Sequence, residues 1–151
     1  MQRTFGRRTF DFSREVAVMA VINRTPDSFY DRGATFALDT ALAAGDRALA
    51  EGADWLDVGG VKAGPGPEVD EAEELDRVLP VVEALRERTD AVISVDTFRS
   101  GVARRSLAAG ADIVNDPSGL HDPKCWWPCR TRTSSARRSS AGAHLPWSAG
   151  G

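Results

Sequence analysis

Four short apolar stretches in this chain each end on an amide or an acid. Residues 16–22 (VAVMAVI) precede Asn23, residues 55–58 (WLDV) carry Asp57, residues 91–95 (AVISV) precede Asp96, and residues 112–114 (DIV) precede Asn115. The spans between them read as loop and helix. Residues 39–51 place Ala41, Leu42, Ala48 and Leu49 on one helical face, with Gly52 as the residue that stops the helix. Residues 68–88 repeat Leu75, Val78, Leu79, Val82 and Leu85 at helical spacing, and residues 100–109 form a third helix closed by Gly110. An internal echo supports the unit: Glu51-Gly-Ala-Asp-Trp-Leu-Asp57 resembles Ala109-Gly-Ala-Asp-Ile-Val-Asn115. Repeated strand, loop and helix means a parallel sheet with helical crossovers.

The repeat chooses between two architectures. A closed barrel would gather the polar strand ends at one mouth, where such folds carry their chemistry. A doubly wound dinucleotide fold would need a G-x-G-x-x-G turn, and none follows any strand. The fold expected is α/β, the N-terminal half of a (β/α)8 barrel with a disordered C-terminal tail.

Local features refine this outline. The seven-residue apolar run at 16–22 suits a strand buried on both faces and is too short to cross a membrane. Arg3-Thr-Phe and Arg8-Thr-Phe-Asp-Phe flank Gly6-Arg7 as a short hairpin would. Acids at 68, 70, 71, 73 and 74 crowd the start of the second helix, and Arg86 and Arg88 its end. They read as a solvated face matched to the helix dipole. Pro80 is expected to kink or interrupt that helix.

Composition divides the chain near Pro123. Up to that residue there are 14 basic and 22 acidic residues, a net −8, and beyond it 5 basic and no acidic ones. Leu145 is the only Leu, Ile or Val of the tail, which also holds both cysteines and three of the four tryptophans. So little aliphatic surface cannot offset ordering entropy. The expected division is a folded domain over 1–123 and a disordered tail over 124–151, reading as out-of-frame translation of a GC-rich gene. Cys125 and Cys129 with His121 and His144 have zinc-ligand chemistry, but in such a tail they read as chance residues. The net charge of −3 offers no argument for nucleic acid or a lipid surface, and the default location is cytoplasmic.

The loop after the first strand is the densest in polar function. Asn23-Arg-Thr-Pro-Asp-Ser-Phe-Tyr-Asp31 resembles the first loop of the dihydropteroate synthases. Asp57-Val-Gly-Gly60 with Pro65-Gly66 is similar to their second loop, and Ile93-Ser-Val-Asp-Thr97 and Ile113-Val-Asn-Asp116 to their third and fourth strand ends. Order and spacing agree over about residues 3 to 123. The family is a TIM barrel that condenses 7,8-dihydropterin diphosphate with 4-aminobenzoate on the way to folate. The resemblance therefore implies those two small-molecule substrates, Mg²⁺ on the diphosphate, and a homodimer for the full-length protein.

It also implies roles. Asn23 contacts the metal, Asp96 and Asn115 bind the pterin, and Asp27 and Asp31 are first-loop catalytic acids, Asp31 beside the cationic intermediate. Phe29 lies at the aminobenzoate site. The chemistry suits these types, since a carboxylate accepts from the donor-rich aminopyrimidine edge and an amide can both donate and accept. Without the resemblance, Asp27 fits an Asx turn beside Pro26 equally well, and Asp57 reads as a brace for the second loop ahead of a ligand contact.

The second loop departs from the family pattern Gly-Gly-Glu-Ser-Thr-Arg-Pro-Gly. Ala63 stands at the diphosphate-contacting Thr and Gly64 at the Arg, so a bidentate cation is lost. Lys62 remains as a nearby substrate-binding charge, though by itself it reads as a solvated loop lysine. This loop is similar to that of a divergent second paralogue in actinobacteria. The expectation is a synthase-type transferase by resemblance, inactive as this chain stands, with a non-catalytic pterin-binding or assembly role as the alternative.

Overall fold

The structure, a computed structural model, describes residues 1–24, 33–61 and 68–119, with the side chains of 33–36 left out. The chain opens with a hairpin of β1 (Gln2–Phe5) and β2 (Arg8–Asp11). Then strand and helix alternate: β3 (Met19–Asn23), α1 (Gly33–Ala50), β4 (Trp55–Gly59), α2 (Glu71–Arg88), β5 (Val92–Asp96), α3 (Ser100–Ala109) and β6 (Ile113–Asn115). Strands β3 to β6 form one parallel sheet in chain order.

Strand pairing sets the two faces of this sheet. Ala20, Leu56 and Ile93 lie in register, as do Ile22, Val58, Val95 and Val114. Because side chains alternate along a strand, both rows share one face. That face packs against Ala41 and Leu42 of α1, Leu75, Val78, Val81, Val82 and Leu85 of α2, and Val102 and Leu107 of α3. Sequential parallel strands with every helix on one face make a segment of a barrel wall, as expected; a doubly wound sheet would place helices on both faces.

The hairpin closes the N-terminal end of the opposite face. Phe5 packs edge-on against Trp55 at 4.9 Å, and Phe10, 3% exposed, lies 6.2 Å from the same ring. Arg8 pairs with Asp54 at 3.1 Å and Arg7 with Asp90, both just ahead of strands.

Several expectations need correction. The first parallel strand begins at Met19, and residues 16–18 precede it. It is not buried on both faces: Met19 is 46% and Val21 57% exposed. The reason is geometric. Only alternate positions meet the helices, and Met19 and Val21 point to the other side, on a strand that is an edge among the described residues. Helix α2 begins at Glu71, with Asp70 as its N-cap accepting from the Glu73 amide at 2.8 Å. It runs through Pro80 without interruption. The acids at its start are not all solvated, because Glu74 is fully buried and paired with Arg99. Helix α1 begins at Gly33, six residues before the expected start. Helix α3 has the expected bounds, and Gly52 and Gly110 take the positive φ that ends their helices. The expected tail, with its boundary at 123 and 124, lies outside the described residues.

Candidate functional site at the C-terminal strand ends

The face away from the helices carries its polar side chains in two rows. The upper row, at the C-terminal strand ends, aligns Asn23 with Gly59, Gly59 with Asp96, and Asp96 with Asn115. The lower row aligns Val21, Asp57, Ser94 and Ile113. The period of two that sends Val58 and Val95 to the helices sends Asp57, Gly59, Ser94 and Asp96 here.

Asp57 is the fixed point. Its carboxylate is buried, and both oxygens are engaged: Ser94 Oγ donates to one and Asn115 Nδ2 donates to the other at 3.1 Å. Asp57 thus braces β5 and β6, where a brace for the second loop was expected. With Nδ2 committed, Asn115 offers its amide oxygen at the mouth as an acceptor. The Asn115 main-chain carbonyl accepts from the Thr97 amide at 3.0 Å, holding β6 to the turn after Asp96.

Asp96 is half-buried at the end of β5 and makes no side-chain hydrogen bond among the described residues. Burial pushes its carboxyl pKa up, and the acids Asp57, Glu74 and Asp116 push it further. Gly59 makes room for Asp96, because a Cβ there would lie 3.1 Å from Asn23 Oδ1 and 3.8 Å from Asp96 Oδ2. A larger residue would force Asn23 aside.

Behind the mouth, three consecutive loops are tied to α2. After β3, Arg24 Nη1 donates to the carbonyls of Asp76 and Arg77, both at 2.8 Å. After β4, the Gly60 carbonyl accepts from Arg77 Nη1 at 2.8 Å. After β5, Arg99 pairs with buried Glu74 and donates to the Val69 carbonyl at 2.6 Å. Burial, then the neighbouring Arg77, lowers the Arg24 pKa against the opposing pull of Asp76; an arginine so placed remains charged.

Of the residues singled out from the sequence, the structure brings Asn23, Asp96 and Asn115 into one row. Asp27, Phe29, Asp31 and Lys62 lie outside the described residues, as do Ala63 and Gly64. Ser94 and Arg24 were missed. Ser94 sits two residues before Asp96 and so shares its face, a signal visible in the sequence. Arg24 had only an indirect one, the missing N–H of Pro80 far along the chain. Among the described residues no group of three or more His, Cys, Asp or Glu could hold a metal ion, and no helix is long and apolar enough to cross a membrane.

A parallel barrel wall of this sequence matches known proteins. Residues 19–130 match the pterin binding enzyme family, and the chain belongs to that family. It is 60% identical over 107 residues to the inactive dihydropteroate synthase 2 of Mycobacterium leprae, covering 70% of this chain and 37% of that protein. It is 45% identical over 115 residues to the dihydropteroate synthase of Synechocystis, covering 76% and 40%. The fold superposes on Xanthomonas albilineans dihydropteroate synthase with 4-aminobenzoic acid at a TM-score of 0.76 and 40% identity, over 84% of this chain and 47% of that one. The Burkholderia cenocepacia enzyme complexed with 7,8-dihydropteroate gives a TM-score of 0.71 and 40% identity, over 85% and 42%. The chain spans less than half the length of each of these relatives.

Proposed function

We propose that this chain is a pterin-recognising member of the dihydropteroate synthase group that binds a dihydropterin without condensing it with 4-aminobenzoate. One observation carries the reading: Asp57, locked by Ser94 and Asn115, sits under Asp96, whose carboxylate accepts no hydrogen bond among the described residues. A pterin edge presents N–H groups that such acceptors take up, and buried acceptors left unmet are costly.

The second loop and kinship both support the lack of turnover. Gly64 and Ala63 remove a bidentate cation and a hydroxyl that would neutralise a departing diphosphate. The Mycobacterium leprae relative carries the name of an inactive synthase. Asp27 and Asp31 of the first loop, Phe29 and Lys62 would complete the pocket. Mg²⁺ would arrive on the diphosphate as part of the ligand. Asn23 Oδ1, which lies against Gly59 where a Cβ would crowd it, could give it one oxygen, which suits an ion that retains waters and phosphate oxygens in place of a protein cage.

Calorimetric titration with 6-hydroxymethyl-7,8-dihydropterin, and with its diphosphate plus Mg²⁺, tests the reading. The expected result is saturable binding of both, lost in Asp96→Ala, with no dihydropteroate formed when 4-aminobenzoate is added. Turnover would make the chain a synthase. Absence of binding would end the pterin reading.

A further inference from the structure

We propose that Arg24 is a positioning residue that supplies the hydrogen-bond donor Pro80 lacks, and so locks the end of β3 and its Asn23 to helix α2. In an α-helix the amide of residue 80 would donate to the carbonyl of residue 76. Proline has no N–H, so that carbonyl loses its helical partner. Asp76 is exposed as a residue, but its carbonyl lies at the start of a turn whose Val78, Val81 and Val82 are fully buried, and the bond it accepts is part-buried, so a partner there is favoured. Arg24 Nη1 reaches it at 2.8 Å and shares the bond with the Arg77 carbonyl at the same distance. Arg24 as a whole is 9% exposed, and its amide donates to the Gly59 carbonyl at 2.9 Å. Residue 24 is therefore held by backbone to β4 and by side chain to α2.

The consequence reaches the mouth. Side chains alternate across a strand, so Arg24 turned toward α2 leaves Asn23 turned toward Gly59 and Asp96. Arg77, whose carbonyl Arg24 caps, donates in turn to Gly60. Pro80 thereby creates a receptor that fixes the roots of the first and second loops against one turn of α2.

A double-mutant cycle in thermal unfolding tests the pairing. Arg24→Leu keeps the stem and removes the donor, and should lower Tm by several degrees. In a Pro80→Ala background, where residue 80 regains its N–H, the same change should cost clearly less. Equal losses in both backgrounds would overturn the proposal, since a packing or charge role for Arg24 does not depend on residue 80. Arg24→Lys, which keeps a donor, should recover part of the Tm in the Pro80 chain; if Arg24→Leu does not fold, the Lys variant takes its place in the cycle, where a larger Tm gain from Pro80→Ala in the Lys chain than in the Arg24 chain supports the pairing and an equal gain overturns it.

The effect at the mouth rests on the pterin reading. Arg24→Leu should weaken binding of the Mg²⁺-loaded dihydropterin diphosphate severalfold and leave 6-hydroxymethyl-7,8-dihydropterin, held by Asp96 and Asn115, unchanged. Equal weakening of both ligands would deny Arg24 a positioning role. A wild-type chain that binds neither would fail the pterin reading alone, and the thermal cycle would still decide the pairing.

Discussion

The two faces of the parallel sheet are made by the same four strands and differ in nearly everything else. On the helix side, Leu56, Val58, Ile93 and Val95 are wholly buried within one continuous apolar cluster. On the other side, the residues between them are Asp57, Gly59, Ser94 and Asp96, flanked by half-exposed Val21. The first face gains by removing carbon from water. The second face holds carboxylates together, places two acids in adjacent strands and, among the described residues, gives one of them no donor. Asp57 stabilises by tying β5 to β6, whereas Asp96 is a half-buried acid beside like charges, which does not; on the pterin reading it is the group a ligand would meet. A single alternation along each strand thus assigns the apolar core to one side and the polar strand ends, where pterin recognition is proposed, to the other.

Substitution should separate the two. The largest effect is expected on the helix side: Ile93→Ala leaves a cavity under α2 and should cost about 2–5 kcal/mol in urea unfolding, with pterin affinity of the remaining folded protein unchanged. A loss of affinity in parallel with stability would break the division between faces. Next is Asp57→Asn on the recognition side. It replaces a buried two-oxygen acceptor by a group with one, so either Ser94 or Asn115 loses its partner. The cost should be about 1–3 kcal/mol, and here pterin binding should fall more steeply than stability, because Asn115 is no longer oriented.

The same division explains what could be read from the sequence. The helix side was legible because it is a pattern of apolar residues at periods of two and 3.6. Leu75, Val78, Val82 and Leu85 located α2, and Ser100 to Ala109 located α3 with its bounds. Asn23, Asp96 and Asn115 were legible because they follow apolar strands at a place where barrels carry function, and because a resemblance gave them roles. Burial of β3 was misjudged because its composition does not say what covers its far side. Glu74 vanished among neighbouring acids, since only the fold delivers Arg99 to it. The Arg24 pairing joins residues 52 and 53 positions apart, a distance over which local pattern carries no information, and Pro80 read alone suggested a break that a distant side chain repairs.

The smallest and most discriminating effect concerns Asp96 and pH. Burial, with Asp57, Glu74 and Asp116 nearby, raises its folded-state pKa above the unfolded value of about 3.9. Between those two pKa values the folded chain keeps a proton that the unfolded chain has released. The unfolded state then binds fewer protons, and stability falls as pH rises through the interval. Below the unfolded value the group is protonated in both states and contributes nothing; above the folded value the whole penalty is present. Asp96→Asn cannot ionise, so it should match the wild type in acid and exceed it in Tm near neutrality, while losing pterin binding. Because Asp57 is the largest charged contributor to the shift, the advantage of Asp96→Asn should shrink in an Asp57→Asn background. Tm measured from about pH 3 to about pH 8 on the four chains checks this. An Asp96→Asn chain whose Tm follows that of the wild type at every pH would mean that Asp96 ionises freely, and that the recognition face carries no stored cost for a ligand to relieve.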